Sequence, residues 1–164
     1  MANRWHRHLT HGRAVLRRAF PAAALRAIET EVGAQEARHH GEMRFVVEAS
    51  LPLGAILRGA SARERALELF GRLGVAGTRA RSGVLLYVLL AERAVEIVAD
   101  RGIAERVPQA EWQRICDAMR ARFAGGDFEA GALEGVRAIG ALLAQHFPAA
   151  GANPNELPDR PLVL

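Results

Sequence analysis

The sequence has no lysine, a single cysteine and no long apolar run. All 22 basic residues are arginines, which codon usage in a GC-rich genome explains more simply than a need for guanidinium chemistry. The one cysteine, Cys116, cannot form an internal disulfide, so the fold does not depend on an oxidising compartment. No stretch approaches the roughly 20 apolar residues that a membrane span requires. We therefore expect a cytoplasmic protein with no membrane span.

Common catalytic motifs are missing as well. The sequence contains no P-loop, HExxH, CxxC or GxSxG motif. Five of the 6 histidines lie before position 12 or at positions 39 and 40, so no Ser-His-Asp arrangement can be argued. A metal-assisted site would need several carboxylates converging on one spot, and the chain has few aspartates.

The excess of positive charge is confined to the beginning of the chain. Residues 1–28 carry six arginines and no acid, whereas the other 136 residues carry 16 arginines and 18 acids. We predict a basic arm over residues 1–19, loose over residues 1–12 and belonging to the mature protein. Nucleic acid or an anionic membrane would suit such an arm, but a solvated leader is the simpler interpretation, so nucleic-acid binding is not expected. His6, His8 and His11 could bind a divalent metal, although a flexible arm preorganises no geometry.

The apolar segment 83–90 is the feature around which the predicted fold is organised. It is uninterrupted and rich in β-favouring residues, which is typical of a strand buried on both faces. After a short polar break, residues 94–100 alternate, with Val95, Ile97 and Ala99 on one face. These two segments predict an antiparallel hairpin in the middle of a sheet.

A strand and a helix precede this hairpin. Residues 43–49 alternate as a strand, and Ser61 with Glu64 matches a capping box at the start of a helix. Strand, helix and strand in this order imply a parallel pair with a right-handed crossover. The predicted fold class is therefore α/β, with a parallel βαβ unit and an antiparallel hairpin in a small mixed sheet.

Apolar spacing predicts further helices at 21–39, 108–124 and 127–146. In the first, the acids Glu29, Glu31 and Glu36 are expected outside the apolar stripe. Asp127 is placed to cap the last helix. The segment 148–164 is predicted to be an extended, proline-rich tail, draped over the domain with three anchors: Leu157, Leu162 and Val163.

Asp100 is the candidate for chemistry. It ends a predicted strand and is followed by Arg101 and Gly102, and α/β proteins tend to place functional groups at strand ends. An Asp–Arg pair there can hold a cation or an anionic group. The simpler alternative is a turn stabilised by an Asx hydrogen bond and a surface ion pair. Glu96, on the same face of the strand, is the nearest second carboxylate.

Three blocks of sequence resemble the TPM domain family. They are Gly83–Leu86 after a helix and a polar loop, Val95–Ile103 as a strand ending in a glycine-containing turn, and Phe123–Gly131 with the order Phe-x-x-Gly-Asp-aromatic-x-x-Gly. The resemblance covers residues 20–147 and implies a three-layer α/β/α sandwich. It also implies that some relatives bind divalent cations such as Ca²⁺ or Mg²⁺. Acid phosphatase activity is attributed to plastid members, and other members act in the assembly or repair of membrane complexes.

This chain departs from the family pattern in the loop before Gly83. That loop often carries acids in the family, but here residues 78–82 contain two arginines and no carboxylate. Position 100 is Asp where Gly is common, and we expect neither the membrane anchor nor the glycine-rich tail that is usual in the family. Arg79 and Arg81 would repel a metal that they faced, and they are suited to receive a phosphate or carboxylate.

Two functional hypotheses follow from these observations. The first is a non-catalytic module that recognises a protein partner or a small anion through the loop 77–82 and the turn 99–103, serving as an accessory factor for a larger assembly. Its ligand-binding residues would be Thr78, Arg79, Arg81, Ser82 and Gly102. The alternative is a metal-dependent, acid-phosphatase-like phosphoester hydrolase. There Asp100, with Glu96, would hold the metal, and Arg101 or Arg79 would hold the phosphate.

Overall fold

The apolar segment near the middle of the chain lies in a sheet between two layers of helices, in a computed structural model that describes residues 2–151 and 154–164. The helices are α1 Ala2–Thr10, α2 Arg13–Ala19, α3 Ala22–Glu36, α4 Leu53–Leu57, α5 Ala62–Arg72, α6 Arg101–Ala104, α7 Gln109–Ala124 and α8 Phe128–His146. The strands are β1 Glu42–Glu48, β2 Gly83–Leu89, β3 Ala94–Ala99 and β4 Leu162–Val163.

The sheet is mixed and has the strand order β3-β2-β1-β4. β1 and β2 are parallel with Glu42 opposite Gly83, and β2 and β3 form the predicted antiparallel hairpin. Every residue of β2 is buried, because the strand has a neighbour on each side and helices on both faces. The α/β class and the three-layer sandwich are therefore confirmed.

The two faces of the sheet bury different helices. Phe45, Val47 and Ala49 of the first strand segment point to the larger layer, which contains α2, α3, α7 and α8. Val46 points the other way, to the smaller layer of α4 and α5. This alternation follows from the period of two along a strand. The predicted capping box is present, because the Ser61 side chain accepts from the Glu64 amide and the Glu64 side chain accepts from the Ser61 amide.

Helix α8 packs closely against its neighbours through glycines. A Cβ on Gly135 would overlap Met119 of α7, and a Cβ on Gly140 would overlap Gln35 of α3. Asp127 occupies the N-cap position of α8, but its side chain makes no capping hydrogen bond, so the predicted capping role is wrong. In the part of the chain that the structure describes, no helix is both long and apolar enough to cross a membrane.

The prediction of a loose arm over residues 1–12 is wrong in its conformation, because Ala2–Thr10 forms the helix α1. The rest of the basic arm contains the helix α2. Helix α1 docks against the turn 90–92: Glu92 accepts a hydrogen bond from Arg4 Nε at 2.7 Å and pairs with His8 Nε2 at 2.9 Å. The Leu51 amide donates to His8 Nδ1 at 3.3 Å, and His8 is only 4% exposed. Polar partners far along the chain hold this helix in place, and local sequence does not reveal them.

The C-terminal tail adds a short parallel strand to the sheet, with Val46 opposite Leu162. Arg44 Nη1 donates to the carbonyls of Pro158 and Arg160, each at 2.6 Å. Leu157 is buried and Leu162 half-buried, as expected of anchors, whereas Val163 is 42% exposed and does not act as one. Three residues of the predicted arm and tail lie outside the described residues: Met1, Ala152 and Asn153.

Candidate functional site

The candidate residues cluster where β1 and β2 begin and β3 ends, an edge of the sheet that we call the amino edge and define by Glu42, Gly83 and Asp100. Glu42 and Gly83 are partners in the parallel register. The Asp100 amide donates to the Gly83 carbonyl at 2.8 Å, which extends the ladder by one residue. Three segments distant in sequence therefore meet here.

The loop 78–82 is held in shape by two of its own predicted ligand residues. The Ser82 amide donates to Thr78 Oγ1 at 3.0 Å, and the Ser82 hydroxyl donates to the His40 carbonyl at 3.0 Å. Thr78 and Ser82 are buried, at 5% and 1% exposure. The Thr78 hydroxyl is thus engaged inside the loop and the Ser82 hydroxyl fastens the loop to His40, so these residues position it.

The turn after β3 packs directly on this loop. A Cβ at Gly102 would lie 2.7 Å from the Arg81 carbonyl oxygen, so only glycine allows the two segments to approach this closely. Arg81 itself has a left-handed backbone, with φ of 51°. The structure therefore brings Gly102 and the loop together, as the first hypothesis requires.

Asp100 and Glu96 are not brought together. Asp100 caps α6, with Oδ1 accepting from the Arg101 amide at 2.7 Å, and its buried Oδ2 has no hydrogen-bond partner among the described residues. Glu96 lies four residues earlier in β3, which is roughly 13 Å along a strand, and it faces Arg63 at 3.6 Å. Within the described ranges, no three side chains of the His, Cys, Asp and Glu types could hold a metal ion together. These residues do not fit a divalent cation of the kind that the resemblance implies.

Three arginines surround the loop and the turn. Arg79, Arg81 and Arg101 are all exposed. Among the residues that the structure describes, no acidic side chain forms an ion pair with their guanidinium groups. Unpaired guanidinium groups are geometrically suited to bind carboxylates and phosphates in a bidentate way.

A carboxylate of the tail already lies against this loop. The Arg79 amide donates to both carboxylate oxygens of Glu156, at 3.3 Å each. The tail is fixed in turn by Glu42, whose Oε2 accepts from the amides of Glu156 at 3.1 Å and Leu157 at 3.0 Å. The loop therefore presents an amide donor to an anionic group of the chain itself.

A buried carboxyl cluster behind the amino edge was not predicted. Glu36 of α3 was expected to lie outside the apolar stripe of the helix. It is only 6% exposed, and its Oε1 accepts from the Met43 amide at 2.7 Å. It lies four residues after Val32 and thus continues the apolar stripe of the helix, which is a signal that the sequence carries. Glu42 is 1% exposed, and Asp159 of the tail lies against Gly33 of α3.

The pKa of Glu36 is raised to about 8, mainly by burial and also by the nearby charges of Glu42 and Asp159, against the opposing effect of the Met43 amide. Burial also raises the pKa of Glu42. A proton held on Glu36 lets its carboxyl lie beside Asp159 without like-charge repulsion. Docking of the tail against α3 is therefore coupled to the protonation of Glu36.

We expect the free energy of unfolding to fall by about 1–2 kcal/mol between pH 6.5 and 8, since each pKa unit corresponds to about 1.4 kcal/mol. The folded chain keeps a proton on Glu36 that the unfolded chain releases above its ordinary pKa of 4.5, so stability declines as pH rises towards 8. Burial lowers the pKa of His39 to about 4, and this opposing effect ends at its ordinary pKa of 6.5. Urea unfolding at stepped pH measures the slope.

Glu36→Gln should flatten this slope, because an amide accepts from Met43 but does not titrate. The matched control is Glu31→Gln on the same helix. A hydrogen bond from Arg137 lowers the pKa of Glu31 below 4.5, so this residue does not titrate in the window and its variant should keep the parental slope. An unchanged slope in the Glu36 variant would contradict the assignment.

The opposite end of the sheet carries a second unpredicted cluster. Arg65 of α5 donates to Glu48 Oε2 from Nε at 3.0 Å and to Oε1 from Nη2 at 2.8 Å, and the Tyr87 hydroxyl donates to Oε2 at 2.6 Å. Burial, together with the Glu48 charge, raises the pKa of Tyr87. The hydrogen bond that Arg65 donates to Glu48 raises the pKa of the Arg65 guanidinium group. The sequence signal is an arginine on the apolar stripe of α5, with Ala62, Ala66 and Leu69.

The histidines at the beginning of the chain do not assemble into a metal site. His8 contacts Leu51 and Glu92, as described above, and His11 Nδ1 lies 2.7 Å from the carbonyl oxygen of Arg7, within its own helical region. Both imidazoles are thus used in local or docking hydrogen bonds. The flexible-arm interpretation does not describe His8, which is buried in the docked helix α1, whereas His6 is exposed on the same helix and His11 follows its end.

The comparisons with known proteins agree with the fold described above. The family model of the TPM domain matches residues 17–142, and no curated protein matches the sequence. The chain is similar to the BA42 protein of the psychrophilic bacterium Bizionia argentinensis, with a TM-score of 0.77, 26% identity and coverage of 88% of this chain and 94% of that one. It shares the fold of the N-terminal domain of a P. gingivalis protein, with a TM-score of 0.62, 24% identity and coverage of 79% and 82%. The chain belongs to the TPM domain family.

Proposed function

We propose that this TPM domain is a non-catalytic binding module whose amino edge takes up an anionic group, carboxylate or phosphate, of a protein partner or a small ligand. The observation that carries the proposal is the set of exposed arginines Arg79, Arg81 and Arg101, whose guanidinium groups have no ion pair in residues 2–151 and 154–164. They lie on two segments that pack together at one end of the sheet. Such a cluster attracts anions and donates bidentate hydrogen bonds to them.

The tail supports the same chemistry. The Glu156 carboxylate accepts from the Arg79 amide at 3.3 Å, and Glu156 is exposed. An incoming carboxylate or phosphate would compete with Glu156 for this amide donor. It would also bind the guanidinium groups of the three exposed arginines. Binding is thereby coupled to the position of the tail.

The alternative of a metal-dependent phosphoester hydrolase has less support. A metal that activates water needs convergent oxygen ligands, and Asp100 is separated from Glu96, the second ligand that the hypothesis requires. Among the described residues, no three His, Cys, Asp or Glu side chains are grouped so that they could hold a metal ion. The free Oδ2 of Asp100 alone does not supply the ligand set of a hard cation. The phosphatase-like activity is therefore the second hypothesis and not our proposal.

Inorganic phosphate, titrated at low ionic strength and followed by amide NMR, is expected to shift the amides of residues 78–82 and 101–103 in a saturable way. Arg79→Gln combined with Arg81→Gln should weaken this response by at least about tenfold, because the loss of even one hydrogen bond to a charged group costs about 1.5–3 kcal/mol. An acetylated pentaglutamate peptide, used as a second probe, distinguishes an acidic protein segment from free phosphate. Tighter binding of the peptide indicates a protein partner.

The matched control is Arg13→Gln combined with Arg17→Gln, which removes the same charge from exposed positions of α2. If both double variants lose affinity equally, the effect is one of net charge and the proposal is wrong. Tight, saturable shifts of the loop amides with Ca²⁺ would also contradict it. Hydrolysis of an aryl phosphate that is lost in Asp100→Asn, a variant that retains a capping oxygen, would favour the alternative.

Three finer expectations accompany this proposal. They are the cytoplasmic location, the domain boundaries at residues 20 and 147, and an accessory role in a larger assembly. The single cysteine, Cys116, supports the first, since the fold needs no disulfide. Cell fractionation and limited proteolysis test the location and the boundaries.

A further inference from the structure

A cavity of about 610 Å³ lies at the carboxyl end of β2, at the opposite end of the sheet from the amino edge. Helix α2 forms one wall, the connection between β2 and β3 forms the second, and the junction of α7 and α8 forms the third. We call it the α2 cavity. Its volume falls in the range typical of small-molecule sites, about 300–1,000 Å³. In open α/β sheets, ligands bind preferentially at the carboxyl ends of strands.

The floor of the α2 cavity is apolar. Val88 and Leu90 contribute from the end of the central strand, and Phe123 and Phe128 contribute from the junction of the two long helices. The two phenylalanine rings are stacked with centroids 5.3 Å apart, and Phe20 holds both from behind in edge-to-face contacts. Both rings are only half-buried, so they leave apolar surface open to the cavity.

The rim of the α2 cavity is basic. Its titratable lining residues are His11, Arg18, Arg93 and Arg120, and no acidic side chain of the described residues lines it. One acid next to the rim in the chain, Glu92, is used by Arg4 and His8 of α1. Another, Asp127, lies between the lining residues Gly126 and Phe128 but does not itself line the cavity. Arg18 and Arg93 are exposed, and no ion pair to either occurs in the described part of the chain.

Arg120 is held on the rim by two contacts. Its Nη1 donates to the Val95 carbonyl at 3.5 Å, and its Nη2 pairs with Asp117 one turn earlier on α7. The Asp117 side chain is 60% exposed, so water screens this pair and Arg120 retains positive potential towards the cavity.

Arg93 occupies an unfavourable backbone position. Its φ of 51° lies in the left-handed region, where glycine or asparagine would be less strained. The side chain it carries is exposed and lines the α2 cavity. A ligand-binding function of the Arg93 guanidinium group would explain why an arginine, and not a glycine or asparagine, occupies this strained position.

We propose that the α2 cavity binds a small free acid with an apolar body, such as a medium-chain or aryl carboxylate. Its head group would lie on Arg18 and Arg93, with Arg120 adding positive potential, and its body would cover Phe123 and Phe128. The apolar floor requires an apolar ligand, and the acid-free basic rim selects a negative head group. This site is separate from the amino edge, and the inference does not rest on the proposed function.

Sodium decanoate, kept below its micelle concentration, is the probe for this site. Amide NMR should show saturable shifts of Val88, Leu90, Phe123 and Phe128 with the carboxylate. Decanol and decyltrimethylammonium have the same chain length but lack the negative charge, so they should bind at least about tenfold more weakly. Equal binding of the three compounds, or no saturable shift with decanoate, overturns the proposal.

Two variants separate binding from folding. Arg93→Gly relieves the left-handed strain, so its melting temperature should not fall, while its affinity for decanoate should fall about tenfold. Arg18→Gln should lose affinity to a similar extent, whereas Arg17→Gln, its exposed neighbour outside the cavity, should stay within about twofold of the parent. If Arg93→Gly and Arg18→Gln bind decanoate as the parent does, the assignment is wrong. Phosphate shifts at residues 78–82 report separately on the proposed function.

Discussion

Arg65→Leu is expected to lower the free energy of unfolding by about 3–5 kcal/mol, because it leaves a buried carboxylate without its counterion. Arg65 and Glu48 are 7% and 3% exposed, and two hydrogen bonds of 3.0 and 2.8 Å join them. The Tyr87 hydroxyl, at 2.6 Å, cannot compensate alone for the lost charge. Urea unfolding at neutral pH, followed by circular dichroism, measures the loss.

Two further variants define the cause. Arg72→Leu lies on the same helix and breaks only an exposed pair with Glu68, so it should cost less than about 0.5 kcal/mol. The combination of Glu48→Met, Arg65→Met and Tyr87→Phe replaces the whole cluster by apolar groups and should recover most of the stability. A loss below about 1 kcal/mol for Arg65→Leu would show that water reaches the cluster.

Gly83→Ala is expected to destabilise the fold by about 3 kcal/mol or more, at the upper end of overpacking effects. A Cβ at this position would overlap the backbone carbonyl oxygen of Val75, and this oxygen cannot rotate away as a flexible side chain can. The same residue starts β2, lies opposite Glu42 and accepts from the Asp100 amide. Because movement of the strand would also displace the amino edge, the response to phosphate should weaken together with stability.

Gly71→Ala is the matched control for this substitution. Gly71 lies in α5 with nothing near the added methyl group, so alanine should stabilise the helix by about 0.5–1 kcal/mol. Thermal unfolding compares the two variants directly. An unchanged melting temperature for Gly83→Ala would mean that residues 75–77 move away at little cost.

The elements that the sequence predicted well are those specified by local pattern. β2 is buried on both faces and therefore has an unbroken apolar run, whereas β3 is more exposed on one face and therefore alternates. Both patterns can be recognised from the sequence of the strand alone. The capping box at Ser61 is equally local, because its partner is three residues away. The polar loop 78–82 and the turn at Gly102 were also placed beside each other correctly.

The failures concern contacts between distant segments. Glu36 was placed outside because a carboxylate normally faces water, yet in the fold it keeps a proton and accepts from Met43. Local sequence does not reveal the helix α1, because the partners of its His8, Leu51 and Glu92, are more than 40 residues away. The strand at Leu162 was missed because two residues carry no pattern without their neighbour, β1.

By itself, the sequence determined the α/β class, the βαβ unit, the central hairpin and the membership of the TPM family, because hydrophobic periodicity and short motifs report burial and local geometry. Only the tertiary structure decided which charges face one another. It separated Glu96 from Asp100 and buried the ion pair between Arg65 and Glu48. It also placed Arg79 and Arg81 near the Glu156 carboxylate with no ion pair to their guanidinium groups among the described residues. Electrostatic interactions depend on distance and desolvation in three dimensions, and neither quantity is encoded in local spacing.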